Sequence, residues 1–181
     1  MKHEKEKTLF FAFIEPTIVF YDGNENLYKF DRKDDNCKAA LNQLIVKADT
    51  IVHGDSSLYN TLRGYFDEEN QKRFKAIEDQ SKPQKVNNRR GGYGGFEDEY
   101  ESENETEDED EEIKTAIEDC LHGFSVLYGQ YNKKNKLKIQ SLATALEYYG
   151  IEIDGELDKD PLLTAVGIKR VWDAMNPNYY S

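Results

Sequence analysis

Few residues of this chain have types and spacing that could do chemistry, and most stand at an element boundary. Glu15 closes the apolar run TLFFAFI and precedes Pro16. A carboxylate there could hold a divalent metal, and it could equally be a plain strand end before proline. Asp55 in Asp55-Ser56-Ser57, with Asp158 and Asp160 in the DKDP stretch, are the acids that could join it. Asp55 and Asp160 each stand where a helix should begin, so capping is their first role; Asp158 reads as a loop charge. His53 is a lone imidazole at the end of an apolar run, with no metal partner in the pattern. Cys120 and His122 are two apart on a helical repeat, do not share a face, and make a poor metal pair. Trp172 and the Tyr148-Tyr149 pair suit a core or sheet-facing place better than base stacking.

One stretch has nucleic-acid chemistry. KPQKVNNRRGGYGGF (Lys82–Phe96) carries four basic residues and no acid. Arg89, Arg90 and Tyr93 could bind RNA through flexible guanidinium contacts and ring stacking, or the segment could be a linker. Directly after it comes EDEYESENETEDEDEE (Glu97–Glu112), with twelve carboxylates and no Lys or Arg. Those carboxylates compete with phosphate for the same arginines within a Debye length of roughly 8–10 Å. Without that run 24 acids face 24 bases, so the net charge of −12 belongs to one segment. Like charges and little apolar area predict a disordered insert over 81–112, inside one domain spanning 1–181. The insert reads as a spacer first, and otherwise as an autoinhibitory or basic-partner-binding tail.

The elements that must position these residues follow from periodicity. Thr8–Ile14 and Thr17–Tyr21 read as strands, Asp22-Gly23-Asn24 as a turn, and Asn26–Phe30 as a third strand. A helix is predicted over Asp35–Lys47, with Ala39, Ala40, Leu41, Leu44 and Ile45 on its apolar face. Asp49–His53 is a fourth strand. A helix through Leu58, Leu62 and Phe66 follows, then a polar helix over about Glu68–Gln80. Ile113, Ala116, Ile117, Cys120, Leu121, Phe124 and Leu127 recur at three-and-four spacing and predict one amphipathic helix. Ile139–Tyr149 is the next, stopped by Gly150. Asp160-Pro161 opens a last helix to Met175, with Ala165, Ile168, Trp172 and Met175 on one face. A meander followed by a crossover strand predicts an α/β fold, a mixed sheet with helices packed on it. No apolar run is long enough to span a membrane, and two distant cysteines, Cys37 and Cys120, without metal spacing suit a reducing intracellular compartment, cytoplasm or nucleus.

Three stretches in this order carry a family resemblance. FAFIEPT (Phe11–Thr17) is similar to an Asp-x-Glu strand. IVHGDSSLYNTL (Ile51–Leu62) is similar to a His-Asn-x-x-Phe-Asp region. SLATALEYYGIEIDGELDKDPLLTAVGIKRVWDAM (Ser141–Met175) resembles a closing segment that ends in a His-x-Ala-x-x-Asp helix. Together they resemble the DnaQ-like exonucleases, the DEDDh branch of the RNase H-like fold. The resemblance implies a site with two divalent metals, four carboxylates and a histidine that activates water. Carried onto this chain, those five positions fall on Phe13, Glu15, Leu58, Lys159 and Thr164, and only Glu15 keeps its type.

The resemblance therefore implies a noncatalytic exonuclease-like module with no cofactor, acting through a protein partner or, weakly, through RNA or single-stranded DNA, and away from membranes. The folded part has no basic excess for phosphates, which favours the protein. The alternative is an active 3′–5′ exonuclease using Mg or Mn held by Glu15, Asp55 and Asp160. A third reading is an acidic interaction protein that works through its insert.

Overall fold

The computed structural model describes residues 7–24, 26–54, 58–72 and 115–177, with backbone alone for 58 and 59. β1 (Thr8–Ile14), β2 (Thr17–Tyr21) and β3 (Leu27–Asp31) form an antiparallel meander. Asp22 shapes the turn between β2 and β3. Its carboxylate accepts the backbone N–H groups of Asn24 and Asn26 at 2.9 and 3.1 Å, around Gly23 at φ 80°. α1 (Cys37–Val46) then crosses over, and β4 (Thr50–His53) pairs parallel to β1 with Leu9 opposite Ile51. α2 (Leu58–Leu62) follows, and residues 68–72 are helical. β5 (Ala116–Asp119) adds parallel to β4, and α3 (Cys120–Tyr128), α4 (Leu142–Tyr148) and α5 (Pro161–Met175) complete the chain. The strand order is β3-β2-β1-β4-β5. The fold is thus α/β, a five-stranded mixed sheet flanked by helices. No helix among the described residues is long and apolar enough to cross a membrane.

Strand alternation divides the core between the two faces of the sheet. Leu9, Phe11, Ile18, Phe20 and Ile51 pack with Leu41, Leu44 and Ile45 of α1. Phe10 and Val52 face the other way, against Phe124, Ile168, Val171 and Trp172 of α3 and α5. Ala12 and Val19 meet Ala165, and these small side chains let α5 come close to the sheet. Trp172 crosses Phe10 edge-on at 5.7 Å, and its indole N–H donates to Glu118 at 2.7 Å.

Buried polar groups are used as clamps. Asn42 on α1 donates to the carbonyls of Lys38 and Tyr65, at 2.8 and 2.9 Å. Its own amide oxygen accepts from Asn70 at 2.7 Å and from the Asp67 N–H at 3.1 Å. These bonds hold residues 65–70 over α1, where Leu62 and Phe66 close that half of the core.

The predicted elements hold, with five corrections: the helix predicted through Leu58, Leu62 and Phe66 ends at Leu62, with residues 63–65 in a turn, and four others follow. First, the helix read from Ile113 is a strand followed by a helix. The free edge of β4 claims the segment: Thr115 Oγ1 donates to Ala48 O at 2.8 Å, and Ala116 N–H to Asp49 O at 2.7 Å. Asp119 then caps α3 by accepting the His122 N–H at 2.9 Å. Tertiary pairing overrides a periodicity that runs through both elements. Second, the helix read from Ile139 begins at Leu142. Gln140 N–H is bound to Ser125 Oγ at 2.8 Å, and Ser141 caps the Thr144 N–H. Its stop is as predicted: Gly150, at φ 66°, donates to Glu147 O and Ile151 to Leu146 O, a Schellman closure. Third, α1 starts at Cys37 and leaves Ala39 exposed and Ala40 half-buried. Fourth, Tyr148 is exposed rather than in the core. The segment 81–112 and residues 73–80 of the predicted polar helix lie outside the described residues.

Candidate functional site

β1 and β4 run parallel side by side, but the chain leaves them in opposite directions, from β1 toward β2 and from β4 toward β5. In open α/β sheets, ligand sites form in the crevice outside the carboxyl ends of strands at such a point. A groove of about 370 Å³ lies there. Phe11, Ala12, Phe13 and Ile14 supply its floor at the end of β1, and Gly54 follows β4. Thr164 and Ile168 of α5, the start of α4 at Leu142 and Ala143, and Leu157 with Asp158 form its walls. This volume is at the lower end of small-ligand pockets.

The start of α5 is fixed locally. Asp160 accepts the Leu162 N–H at 2.8 Å, with Pro161 in the first turn. Thr164 Oγ1 donates to Leu157 O and to Asp160 O, which ties the loop wall of the groove to the helix. Asp160 is therefore a cap, and Thr164 a fastener of the loop, each engaged by the backbone.

Of the five positions implied by the resemblance, the groove brings together Phe13 and Thr164. Glu15 lies outside it, more than half exposed, and accepts Arg32 Nη1 at 2.8 Å. That bond, with the Tyr65 hydroxyl beside it, raises the Arg32 pKa above its ordinary value. Lys159 is exposed and paired with Glu156. The side chain of Leu58 is outside the described residues, as are Asp55, Arg89, Arg90 and Tyr93. His53 is buried at the end of β4. Cys120 is buried while His122 on the same helix is exposed, so the two do not meet. Cys37 is buried under α1, and Tyr149 is half-buried, its pKa raised by burial and by Tyr148.

Sequence reasoning missed Ala12, Ile14, Leu142 and Leu157. Alternation could have found the first two. Phe13 shares its parity with Phe11 and packs toward the α1 side, whereas Ala12 meets α5. Leu142 and Leu157 carry no signal, because ordinary leucines become groove walls only through the path of the loop.

Asp158 is the one ionisable residue in the groove lining. Among the described residues no three His, Cys, Asp or Glu side chains gather as a metal set. Two magnesium or manganese ions need several close carboxylates, so the residues here do not fit that pair of ions. Comparison with protein-family models, curated proteins and solved structures gives no match.

Proposed function

We propose that this chain is a noncatalytic module of the DnaQ-like, RNase H-like type, an intracellular adaptor that binds a protein partner in the crevice at the carboxyl ends of β1 and β4. The meander-then-crossover order supports the family reading. One observation carries the function: the crevice stands where an α/β sheet puts its ligand site, and its lining is apolar, with Phe13, Ile14, Leu142, Leu157 and Ile168 around the single carboxylate Asp158. That chemistry suits an apolar side chain of a bound peptide. It does not suit phosphate, for which the lining offers no cation.

The test has two arms. The chain is incubated with single-stranded DNA and RNA in magnesium or manganese, beside Glu15→Ala. No degradation is expected; degradation lost in Glu15→Ala would establish the active-nuclease alternative. Proteins captured by the chain from native extract are then compared with those captured by Ala143→Trp, in which an exposed wall residue fills the crevice. Loss of a specific partner in the tryptophan variant is the expected result, and equal capture by both removes the crevice from the function.

A further inference from the structure

A second surface lies on the hairpin that follows α3 and leads into α4. From Cys120 to Leu146 the chain contains no Asp or Glu, while Lys133, Lys134, Lys136 and Lys138 all fall within one hairpin. The hairpin is firmly built. Tyr131 pairs with Leu137 across it, Asn132 N–H donates to Lys136 O and Lys138 N–H to Gln130 O, each at 2.8 Å. Asn132 Oδ1 accepts the N–H groups of Lys134 and Lys136 at 2.9 and 3.1 Å, and Asn135 takes the left-handed conformation at φ 56°. Gln140 fastens its base by donating to Lys138 O at 2.9 Å. All four lysines are exposed, and none has an ion-pair partner among the described residues.

Apolar surface adjoins these charges. Leu127 is 69% exposed, Tyr131 60% and Ile139 51%. Tyr148, 62% exposed, joins them through Tyr128, its ring 5.6 Å away. By alternation from the Tyr131–Leu137 bridge, Leu137 and Ile139 share a face with Tyr131 and Lys136 and Lys138 take the other, while Lys133 and Lys134 stand in the turn at the hairpin tip. Exposed apolar side chains and charges of one sign on the same short hairpin and the helix before it are the makings of a docking surface.

We infer that this surface docks a short acidic peptide segment carrying apolar anchor residues. Charge complementarity favours an anion: four cations with no ion pair among the described residues face solvent, and the 27 residues 120–146 contain no acid. The aliphatic share decides between peptide and nucleic acid. Tyr131 and Tyr148 offer rings on which bases stack, but Leu127 and Ile139 offer none, whereas leucine or phenylalanine side chains of a peptide bury against all four. The inference rests on the reading of the chain as a binding module and adds a second contact to it.

The experiment uses the full chain and a fluorescein-labelled peptide of repeated Glu-Glu-Leu-Phe blocks, read by anisotropy. The same peptide with Ser for Leu and Phe, and labelled oligo-uridine, are run beside it. Saturable binding of the Glu-Glu-Leu-Phe peptide is expected, weakened about tenfold or more by Lys133→Glu with Lys134→Glu. Leu127→Ser, at an exposed position that should not disturb the fold, is expected to weaken it several-fold. Lys29→Glu, on β3 at the far edge of the sheet, should leave it unchanged. No binding, equal binding of the serine peptide, or tighter binding of oligo-uridine each overturns the inference. Those outcomes leave the module reading standing, since that reading fails by metal-dependent nuclease activity or by indifference to Ala143→Trp.

Discussion

The α1 face and the α5 face of the sheet are built from alternate residues of the same strands, yet they close differently. Under α1, a single helix and the segment 65–70 cover the core, and the Asn42 bonds tie the two covers together. Over the other face three helices and a loop converge, and where α4, α5 and the loop through Leu157 fail to meet, a groove opens. A polar clamp ties down the cover on one side; the path of a loop leaves a groove on the other. The lesson is that a binding crevice here comes from connection geometry rather than from any distinctive residue.

The strongest way to break this contrast is to hollow out each face. Phe10 and Phe20 are fully buried on opposite faces. Truncation of either to alanine is expected to cost about 3–5 kcal/mol in urea unfolding. A loss below about 1 kcal/mol for Phe10→Ala would show that the α5 face is no true core.

Cysteine titration separates the faces at high pH. Burial, followed by the neighbouring Asp119 charge, pushes the Cys120 thiol up from 9.0 to about 12. A raised thiol pKa means the folded state favours the neutral form. That stability is whole below pH 9 and is lost as pH climbs toward 12. The loss is on the order of 1.4 kcal/mol per pH unit in that window. The difference between the chain and Cys120→Ala should therefore shrink from pH 9 upward, measured by denaturant unfolding at each pH. A constant difference would place the thiol in contact with water. Cys37 is raised too, by burial and then by Asp34.

The clamp comes next. Asn42→Ala strips partners from Asn70 and from the Tyr65 carbonyl, and should cost about 1–3 kcal/mol. Hydrogen exchange should then rise over 65–70 and stay unchanged around α4 and α5. Exchange rising on both sides would mean the faces are not independent.

The smallest effect belongs to Glu15. Its pair with Arg32 is exposed on both sides, 56% and 46% for the two side chains, and water screens it. Glu15→Ala should leave the melting temperature unchanged within error. A marked drop would make Glu15 part of the frame of the sheet.

The sequence made the meander, α1, β4 and the start of α5 legible, because each rests on a local signal: apolar runs, the Asp22-Gly23-Asn24 turn, the Asp160-Pro161 cap. β5 was hidden. It has four residues with Ala116, Glu118 and Asp119 exposed, so it lacks strand alternation, and Ile117 fits the helical repeat that continues into α3. Only the open edge of β4 makes it a strand. The candidate site was half legible. Phe13 and Thr164 do meet at the groove, but Glu15 does not enter it, because it lies past the end of β1 in the turn to β2 and is held there by Arg32. The lysine hairpin turned on Asn132 and Asn135, polar residues whose role appears only once their side chains and backbone are placed.

The bond from Thr115 to Ala48 joins residues 67 apart in the chain. β1, β2 and β3 can find one another within a short stretch, whereas the β4–β5 pairing must wait for a long excursion to return. In kinetic terms the far edge of the sheet and the three helices behind it are late arrivals, and loop-closure entropy sets their delay. Removing 81–112 roughly halves that excursion, which lowers the entropic cost by about 0.6 kcal/mol. The shortened chain should refold faster while unfolding at the same rate, so the length of the segment between β4 and β5 acts on when the crevice is assembled.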